Sequence, residues 1–582
     1  MKNPLGGAGV LISGSKSLSV WYSQSSKIAL VSAFSIVIMF AYWRNFEAEQ
    51  GPRNGVFSAL SSVVDSSAEN LALPNESPLE PPVRKLIGAL RREVLKVKRN
   101  TGIYPDTDFD LKKWKEENPC TSRTELPSYY SRLSSSPNRK DLGILESRQW
   151  ETVLFEYARL HRACIRAAGN ITEYFYSRNT TTGCKFFIAE AKNGLGNKLF
   201  IMAPSVLYAI LTQRVILIPE STGVPDLMCE PFPGSSWRLS IDIQNTDVPI
   251  WNQTKEFMDN VDRAKREHES TLPIYASRVD DDWLPVARFF CDVEQSYFRQ
   301  VPWLTVHGCL YFLPKLFAIP SHQITLEALF PDPSVAITHI LRTTFLPRDE
   351  TWDKVKGAEY LFNSSHFTRV QVGIQARYFN SSEAKHKVIN ANVEGCLVEN
   401  NLLEQAVPVE RSSLVGHHET TIFIASLTSD LQEHLQGFYE RNPESQYTKI
   451  SFQQLSSEKE QRSGIEVYQQ VLVEILWLSF SHTLLVSPAS TFGGLGQAYG
   501  ALTSWFIEMR DDVMVPCQRG QTSDGCFQTP HHSYSCPYET VRNGKPIFDF
   551  VPYIKSCREI DAGGLQLIDG LKNTGMVDSP LR

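Results

Sequence analysis

A glycine-containing turn carries the residue types that phosphate chemistry needs. Residues 193–198 read Asn-Gly-Leu-Gly-Asn-Lys and stand between a short apolar run and a segment with helical apolar spacing. Glycine lets a backbone approach a ligand closely, and the free amides at the start of a helix favour an anion such as a diphosphate. A turn that only packs a helix on a sheet also favours glycine. The candidate phosphate-binding residues in this turn are Gly194, Gly196 and Asn197.

A second candidate follows a later segment, Arg369–Gln375, whose alternating pattern predicts a strand. Ligands of open α/β sheets bind at the carboxyl ends of the strands, which is where Arg377 falls. Its guanidinium has the geometry to hold a phosphate with two hydrogen bonds and to stabilise charge on a leaving group. The alternative is a surface ion pair with a carboxylate such as Glu383. Gln375 is a candidate for orienting a substrate, or for a hydrogen bond at the strand end.

A third candidate, Ser490 with Thr491, lies between a predicted strand, Thr483–Val486, and the helix after it. Hydroxyl groups and free amides at the N-terminus of a helix can hold a phosphate. The alternative is an ordinary helix cap, which serine and threonine commonly supply.

The elements that must position these residues alternate between strand and helix patterns from about residue 145, which predicts parallel sheets with covered faces. We expect two α/β lobes, residues 141–365 and residues 366–515, of which the second binds the donor, and a cysteine-containing segment, residues 516–582. The predicted strands are 186–189, 215–218, 369–375, 421–425 and 483–486, and the predicted helices are 199–213, with a kink at Pro204, 467–478 and 494–502.

The N-terminal region has the pattern of a type II membrane anchor. Residues 28–43 are uncharged and mostly apolar, and the lysines before them indicate a cytosolic tail, residues 1–27. We prefer an anchor to a cleaved signal peptide, because Tyr42, Trp43 and Arg44 stand at the end of the apolar core, where small residues are expected. Residues 44–140 predict a polar stem. Val83–Lys98 in it has helical spacing, interpreted as a solvated helix or as a self-association helix of a homodimer.

The composition agrees with a luminal catalytic part. The net charge of -6, from 58 Lys plus Arg and 64 Asp plus Glu, gives no indication of a nucleic-acid partner. The 11 cysteines suit an oxidising compartment, and we expect a local disulfide between Cys526 and Cys536. Six glycosylation sequons lie beyond the apolar segment, the poorest of them at Asn75. The others are at Asn170, Asn179, Asn252, Asn363 and Asn380.

Longer sequence blocks resemble one family. The chain has Gly-Leu-Gly-Asn at 194–197, Cys-Glu-Pro-Phe-Pro at 229–233, Val-Pro-Trp-Leu at 301–304, Val-Gly-Ile-Gln-Ala-Arg at 372–377 and Ser-Thr-Phe-Gly at 490–493. In this order the blocks resemble the plant cell-wall fucosyltransferases, which include the xyloglucan galactoside 2-alpha-L-fucosyltransferases. The resemblance covers roughly residues 145–570. The glycine turn alone is generic, whereas the second and fourth blocks are specific.

This resemblance implies a GT-B-like fold, in which two Rossmann-like lobes face a cleft. It implies GDP-fucose as the donor, inversion at the anomeric carbon, no required metal or other cofactor, and a Golgi membrane location. Arg377 matches the family arginine expected to stabilise the departing diphosphate. Glycines 194 and 196, Asn197, Ser490 and Thr491 match positions near the donor phosphates. The acidic run Asp280–Asp282 lies outside the matched blocks, and we interpret it as a solvated turn.

The candidate for the catalytic base lies near the C-terminus. Relatives carry a Cys-Glu-Asp-Ile-like run near the C-terminus, and Glu559 matches its aspartate when Cys557 sets the register. Asp561 is the second choice, and water-assisted loss of the proton is an alternative to both. His531 and His532 lie in a loop that faces either the acceptor or solvent. Lys198, at a position where relatives often have arginine, is a further departure from the family pattern.

Three functions fit these features. The first is transfer of fucose to the 2-OH of a galactose in a cell-wall glycan such as xyloglucan, or in an arabinogalactan-type glycan. The second is O-fucosylation of protein, against which the Cys-Glu-Pro-Phe-Pro block argues. The third is a membrane-tethered glycan-binding protein without catalysis.

Overall fold

Parallel strands organise the chain into two six-stranded sheets. The computed structural model describes residues 79–104, 109–134, 136–241, 251–253, 262, 276–279, 289–309, 311–357, 369–378, 382–405, 418–442, 448–454, 464–510, 515–526, 551–557 and 564–570. These residues belong to one compact unit, Leu73–Arg582.

The first sheet has the order β3-β2-β1-β6-β5-β4, and all its strand pairs are parallel. All six residues of β1 are buried, as expected for a strand covered by helices on both faces. The strands are β1 Phe186–Ala191, β2 Val215–Pro219, β3 Arg238–Leu239, β4 Trp251–Gln253, β5 Ala276–Val279 and β6 Trp303–Gly308.

The second sheet has the order β12-β11-β10-β7-β8-β9, and its pairs are parallel except β11 with β12. A separate antiparallel hairpin, β13 with β14, follows near the C-terminus. The strands are β7 Arg369–Gln375, β8 His418–Ala425, β9 Thr448–Gln454, β10 Thr483–Val486, β11 Trp505–Ile507, β12 Cys517–Arg519, β13 Ile554–Ser556 and β14 Leu565–Leu567.

Helices connect and cover these strands. In the described residues they are α1 Pro81–Thr101, α2 Leu111–Glu117, α3 Ser122–Arg132, α4 Ile144–Ala168, α5 Ile171–Tyr176, α6 Leu195–Leu211, α7 Val224–Leu227, α8 Asp292–Phe298, α9 Leu313–Phe317, α10 Pro320–Leu329, α11 Ala336–Thr344, α12 Asp349–Lys356, α13 Glu383–Glu399, α14 Leu402–Gln405, α15 Asp430–Arg441, α16 Ile465–Ser479 and α17 Thr491–Gly500, with 3₁₀ turns at Glu220–Thr222 and Pro333–Val335.

The α/β prediction is confirmed, and two strands have the bounds that periodicity predicts. Strands β7 and β10 begin and end where the sequence places them. The helices begin earlier than predicted: α6 at Leu195 rather than 199, and α17 at Thr491 rather than 494. Glycines in these first turns hide the helix starts, because glycine is typical of turns. Helix α6 also continues through Pro204.

The stem prediction is wrong for its C-terminal part, because α1 is not a solvated helix. Its apolar face is buried and belongs to the main hydrophobic core, where it packs along α4. Residues 136–140 are also part of the fold, since Arg139 forms a β-bridge with Leu502. The part of the chain that the structure describes contains no helix long and apolar enough to cross a membrane. The predicted anchor, residues 28–43, lies outside the described residues.

The disulfide prediction is also wrong. Cys526 pairs with Cys557, with 6.2 Å between their Cα atoms, rather than with Cys536. The β13–β14 hairpin causes this pairing, because it packs against the segment after β12: the Thr522 hydroxyl donates to the Leu567 carbonyl. Where both cysteines are described, disulfides also join Cys120 to Cys229, Cys164 to Cys184 and Cys396 to Cys517.

A pair of α1 variants tests whether this helix belongs to the folded unit. Leu90 is fully buried and Leu95 is 51% exposed on the same helix. We expect Leu90→Ala to lower the free energy of unfolding by about 2–5 kcal/mol, since it leaves a cavity in a packed core. Leu95→Ala should change it by less than about 0.5 kcal/mol. Chemical denaturation of the purified chain measures the free energy of unfolding of both variants. Equal effects would indicate that α1 is a solvated helix of the stem, as first predicted.

Candidate functional site

The second sheet changes direction between β7 and β10, the two strands that carry the candidate residues. From β7 the chain continues outward through β8 and β9, and from β10 it continues in the opposite direction through β11 and β12. In open α/β sheets, such a switch point forms a crevice for ligands at the carboxyl ends of the strands. Gln375, the last residue of β7, is the register partner of Val486, the last residue of β10. Gln375 is 5% exposed, and its Oε1 has no hydrogen-bond partner among the described residues.

The backbone of Arg377 is held by the turn after β10. Its amide donates to Ser487 Oγ at 2.9 Å, and the amide of Ser487 donates to the Gln375 carbonyl at 3.0 Å. These hydrogen bonds fix the backbone that carries the Arg377 side chain at the switch point. The residue is partly exposed. Glu383, the alternative ion-pair partner, lies 3.2 Å from Lys387.

Ser490 occupies the N-cap position of α17 but does not cap it with its side chain. Its Oγ is buried and has no hydrogen-bond partner in the part of the chain that the structure describes. The preceding residue, Ala489, has a left-handed backbone with φ 54°, which turns the chain sharply between β10 and α17. The ordinary-cap interpretation of Ser490 is therefore not supported by the geometry.

A small cavity adjoins this turn. Its lining includes Ser487, Ser490, Gln497, Phe506 and Gly525. The Gln497 amide nitrogen donates to the carbonyls of Thr522 and Asp524, whereas its Oε1 has no hydrogen-bond partner among the described residues. Buried acceptors in a cavity at a helix start suit a polar ligand.

The glycine turn of the first lobe uses its residues differently from the prediction. The left-handed residue is Asn193, with φ 64°, whereas Gly194 is an extended N-cap with φ -68°. A Cβ on Gly194 would meet no atom within 4 Å. A Cβ on Gly196 would lie 2.6 Å from Thr491 Oγ1 and 3.2 Å from the Thr491 carbonyl carbon. Gly196 is therefore required by close contact with the second lobe, and Gly194 borders open space.

Lys198 forms a second contact between the lobes. Its Nζ donates to the Thr222 carbonyl at 2.7 Å and to the Tyr468 hydroxyl at 2.8 Å, and it lies 4.7 Å from the centre of the Tyr468 ring. Tyr468 belongs to α16, so this lysine links the helix after the glycine turn to the second lobe. Its role is packing and hydrogen bonding, which the sequence alone does not indicate.

Asp524 is a further residue that sequence reasoning missed. It is fully buried, accepts a hydrogen bond from the Tyr311 hydroxyl, and accepts the Leu567 amide at 2.8 Å. Burial, and then the Asp524 charge, raise the pKa of Tyr311 well above its usual range, so the phenol stays protonated and donates. This bond joins the loop after β6 to the segment that lines the cavity.

The structure thus brings most of the predicted donor site together. Gly196 touches Thr491, Ser490 precedes it, and Ser487 joins this turn to Gln375 and Arg377. Asn197 and Gly194 are partly exposed on the same turn as Gly196. The remaining candidates, Glu559, Asp561, His531, His532 and the run Asp280–Asp282, lie outside the described residues.

No group of three or more His, Cys, Asp or Glu side chains in the described ranges is arranged to hold a metal ion.

Two predicted sequons are described. Asn170 is exposed and caps α5, accepting the amides of Thr172 and Glu173, and Asn179 accepts a bond from its sequon hydroxyl, Thr181 Oγ1. The other asparagines either lie outside the described residues or, at Asn252, form part of β4.

Comparison with known proteins assigns the class. The xyloglucan fucosyltransferase family profile matches residues 116–537, and the chain belongs to this family. It is 29% identical over 516 residues to probable fucosyltransferase 5 of Arabidopsis thaliana, with 84% of this chain and 89% of that protein covered. It is 30% identical over 472 residues to the galactoside 2-alpha-L-fucosyltransferase of the same plant, with 78% of this chain and 81% of that protein covered.

A solved structure has the same fold. A mutant of Arabidopsis thaliana FUT1 in complex with GDP superimposes with a TM-score of 0.62 and 24% identity, covering 81% of this chain and all of that chain. The resemblance deduced from the sequence blocks is confirmed at the level of the family.

A serine scan of the glycine turn separates the roles of its two glycines. Serine at position 196 would push against Thr491, so we expect Gly196→Ser to lower the free energy of unfolding by about 1–3 kcal/mol. Gly194→Ser adds a favourable N-cap in open space and should change it by less than about 0.5 kcal/mol. Thermal unfolding checks both variants. Equal stability of the two would contradict the close contact between the lobes.

Proposed function

We propose that this chain transfers L-fucose from GDP-beta-L-fucose to a sugar hydroxyl with inversion at the fucose C1. One observation carries the proposal: Gly196 after β1 contacts Thr491 at the switch point of the second sheet, beside Arg377 and Ser490. Ligand-binding edges of two α/β sheets therefore meet at one place, within a chain of the xyloglucan fucosyltransferase family. Such a junction suits a donor with two phosphates and a sugar.

In this mechanism the acceptor oxygen attacks C1 as the bond to the β-phosphate breaks. The transition state is oxocarbenium-like, and negative charge develops on the departing diphosphate. Arg377 is the residue proposed to stabilise that charge, with the amides and hydroxyls of Ser490 and Thr491 at the start of α17. Asn197 and the open backbone at Gly194 are proposed to contact the donor from the first lobe. No metal is proposed to take part.

The acceptor we propose is the 2-OH of a galactose in a cell-wall glycan, of the xyloglucan or arabinogalactan type. Support comes from the related galactoside 2-alpha-L-fucosyltransferase. We further propose a type II Golgi membrane location with residues 28–43 as the anchor. The disulfides and the exposed sequon at Asn170 support an oxidising, glycosylating compartment. Homodimer formation through α1 is not proposed, because the apolar face of α1 is buried in the core.

The acceptor is tested by GDP release. The full-length chain in detergent is supplied with GDP-fucose alone, then with galactosylated, arabinosylated and protein acceptors. Release stimulated by a galactosylated glycan is the expected result. Stimulation by protein alone would favour protein O-fucosylation, and GDP-fucose binding without release under any condition would favour the non-catalytic glycan-binding function.

Arg377 variants test the leaving-group role. We expect Arg377→Ala to lower kcat about 10²–10³-fold, the usual effect of removing one donor to a developing anion. Arg377→Lys should recover part of this loss, since it restores the charge without the two-pronged geometry. The matched control is Lys387→Ala on the exposed face of α13, which should keep wild-type kcat. Wild-type turnover in Arg377→Ala would refute the role.

A further inference from the structure

A buried acid–histidine pair lies at the centre of the first sheet. Strands β1 and β6 are its two central strands and are hydrogen-bonded neighbours. Glu190 and His307 are register partners on these two strands, each one residue before the strand end. His307 Nε2 lies 3.7 Å from Glu190 Oε1, and the residues are 6% and 1% exposed.

This edge of the first sheet faces the second lobe. The turn after β1 reaches Thr491 through Gly196, and the loop after β6 reaches Asp524 through the Tyr311 hydroxyl. Both connections leave the sheet directly after the acid–histidine pair. Glu190 is four residues from Gly194, which spans at most about 14 Å of extended chain. The pair therefore lies within reach of the proposed donor site, next to the glycine turn of the first lobe.

The pair differs in kind from the residues around it. Apolar side chains fill most of β1 and β6, and a carboxylate with an imidazole at their carboxyl ends is expensive to bury for stability alone. A carboxylate beside an imidazole orients the ring and stabilises the imidazolium that forms on proton uptake. This chemistry suits a reaction in which an alcohol must lose a proton.

Building on the proposed fucosyl transfer, we propose that His307 is the catalytic base for the acceptor and that Glu190 is its positioning residue. The acceptor oxygen forms a bond to C1 of fucose, and the C1–O bond to the β-phosphate breaks with its electron pair going to GDP. The acceptor proton passes to the His307 imidazole, whose positive charge is balanced by Glu190. The proton then leaves to solvent, which restores the neutral ring.

This assignment competes with Glu559, which was predicted from family register and lies outside the described residues. The two candidates lie in different parts of the chain: Glu559 belongs to the C-terminal segment, and His307 to a central strand of the first sheet. Variants at the two positions therefore give opposite outcomes in one assay.

The experiment measures acceptor-dependent transfer, acceptor-independent donor hydrolysis and GDP affinity in the full-length chain. We expect His307→Ala to lower kcat for transfer about 10²-fold or more, the usual contribution of a general base. The Kd for GDP should stay within about twofold, and added imidazole should restore part of the transfer. Glu190→Gln keeps the side-chain volume and should lower kcat for transfer roughly tenfold while the acceptor KM is unchanged.

The matched control is His322→Gln, at another buried histidine of the first lobe, which packs near Tyr208 in the core. It should keep wild-type transfer, and its Tm shows the cost of changing a buried histidine. His307→Gln replaces His307→Ala if the alanine variant does not fold. Wild-type transfer in a folded His307 variant, or loss of transfer only in Glu559→Gln, would overturn the assignment. A wild-type chain that binds GDP but fucosylates no acceptor would instead overturn the proposed function itself.

Discussion

The contact between Gly196 and Thr491 is the constraint on which the proposed site depends. Open α/β sheets bind ligands at their carboxyl edges, so a ligand shared by two sheets requires the two edges to face each other at short range. A Cβ at position 196 would lie 2.6 Å from Thr491 Oγ1, a separation that packed atoms do not tolerate. Glycine at this position therefore sets how closely the glycine turn of one lobe approaches the start of α17 in the other. Lys198 reinforces the same approach through Tyr468.

Two arginines stabilise the C-terminal ends of α16 and α17. Arg139 donates to carbonyl groups of Ser479 and Gly500, at the C-terminal ends of α16 and α17, and Arg342 donates to the Tyr499 carbonyl. Burial lowers the pKa of Arg139 to about 9 and that of Arg342 to about 10, so both remain charged at neutral pH. Cations at helix C-termini satisfy orphan carbonyls and complement the helix dipole. Arg139, from the predicted stem, and Arg342, from α11, thus cap the helices that frame the candidate site.

Sequence patterns predicted the bounds of β7 and β10, but not the starts of the helices α6 and α17. The apolar alternation of β7 and the apolar run of β10 depend on the residues of each strand alone, so their bounds followed from local periodicity. The starts of α6 and α17 were predicted four and three residues late, because Gly194, Gly196 and Gly493 are typical turn residues. The N-cap position of α17 was correctly placed at Ser490. No sequence pattern indicates that the Ser490 side chain makes no capping hydrogen bond.

By itself the sequence determined the α/β class, the family, and the residues that follow each strand, because these depend on short segments. The tertiary structure decided which of those residues meet. It paired Cys526 with Cys557, seated α1 in the core, and joined Gly196 to Thr491 and Glu190 to His307. Such contacts join segments from about 30 to about 300 residues apart. They depend on strand order and on the docking of one lobe on the other, and local periodicity carries no information about either.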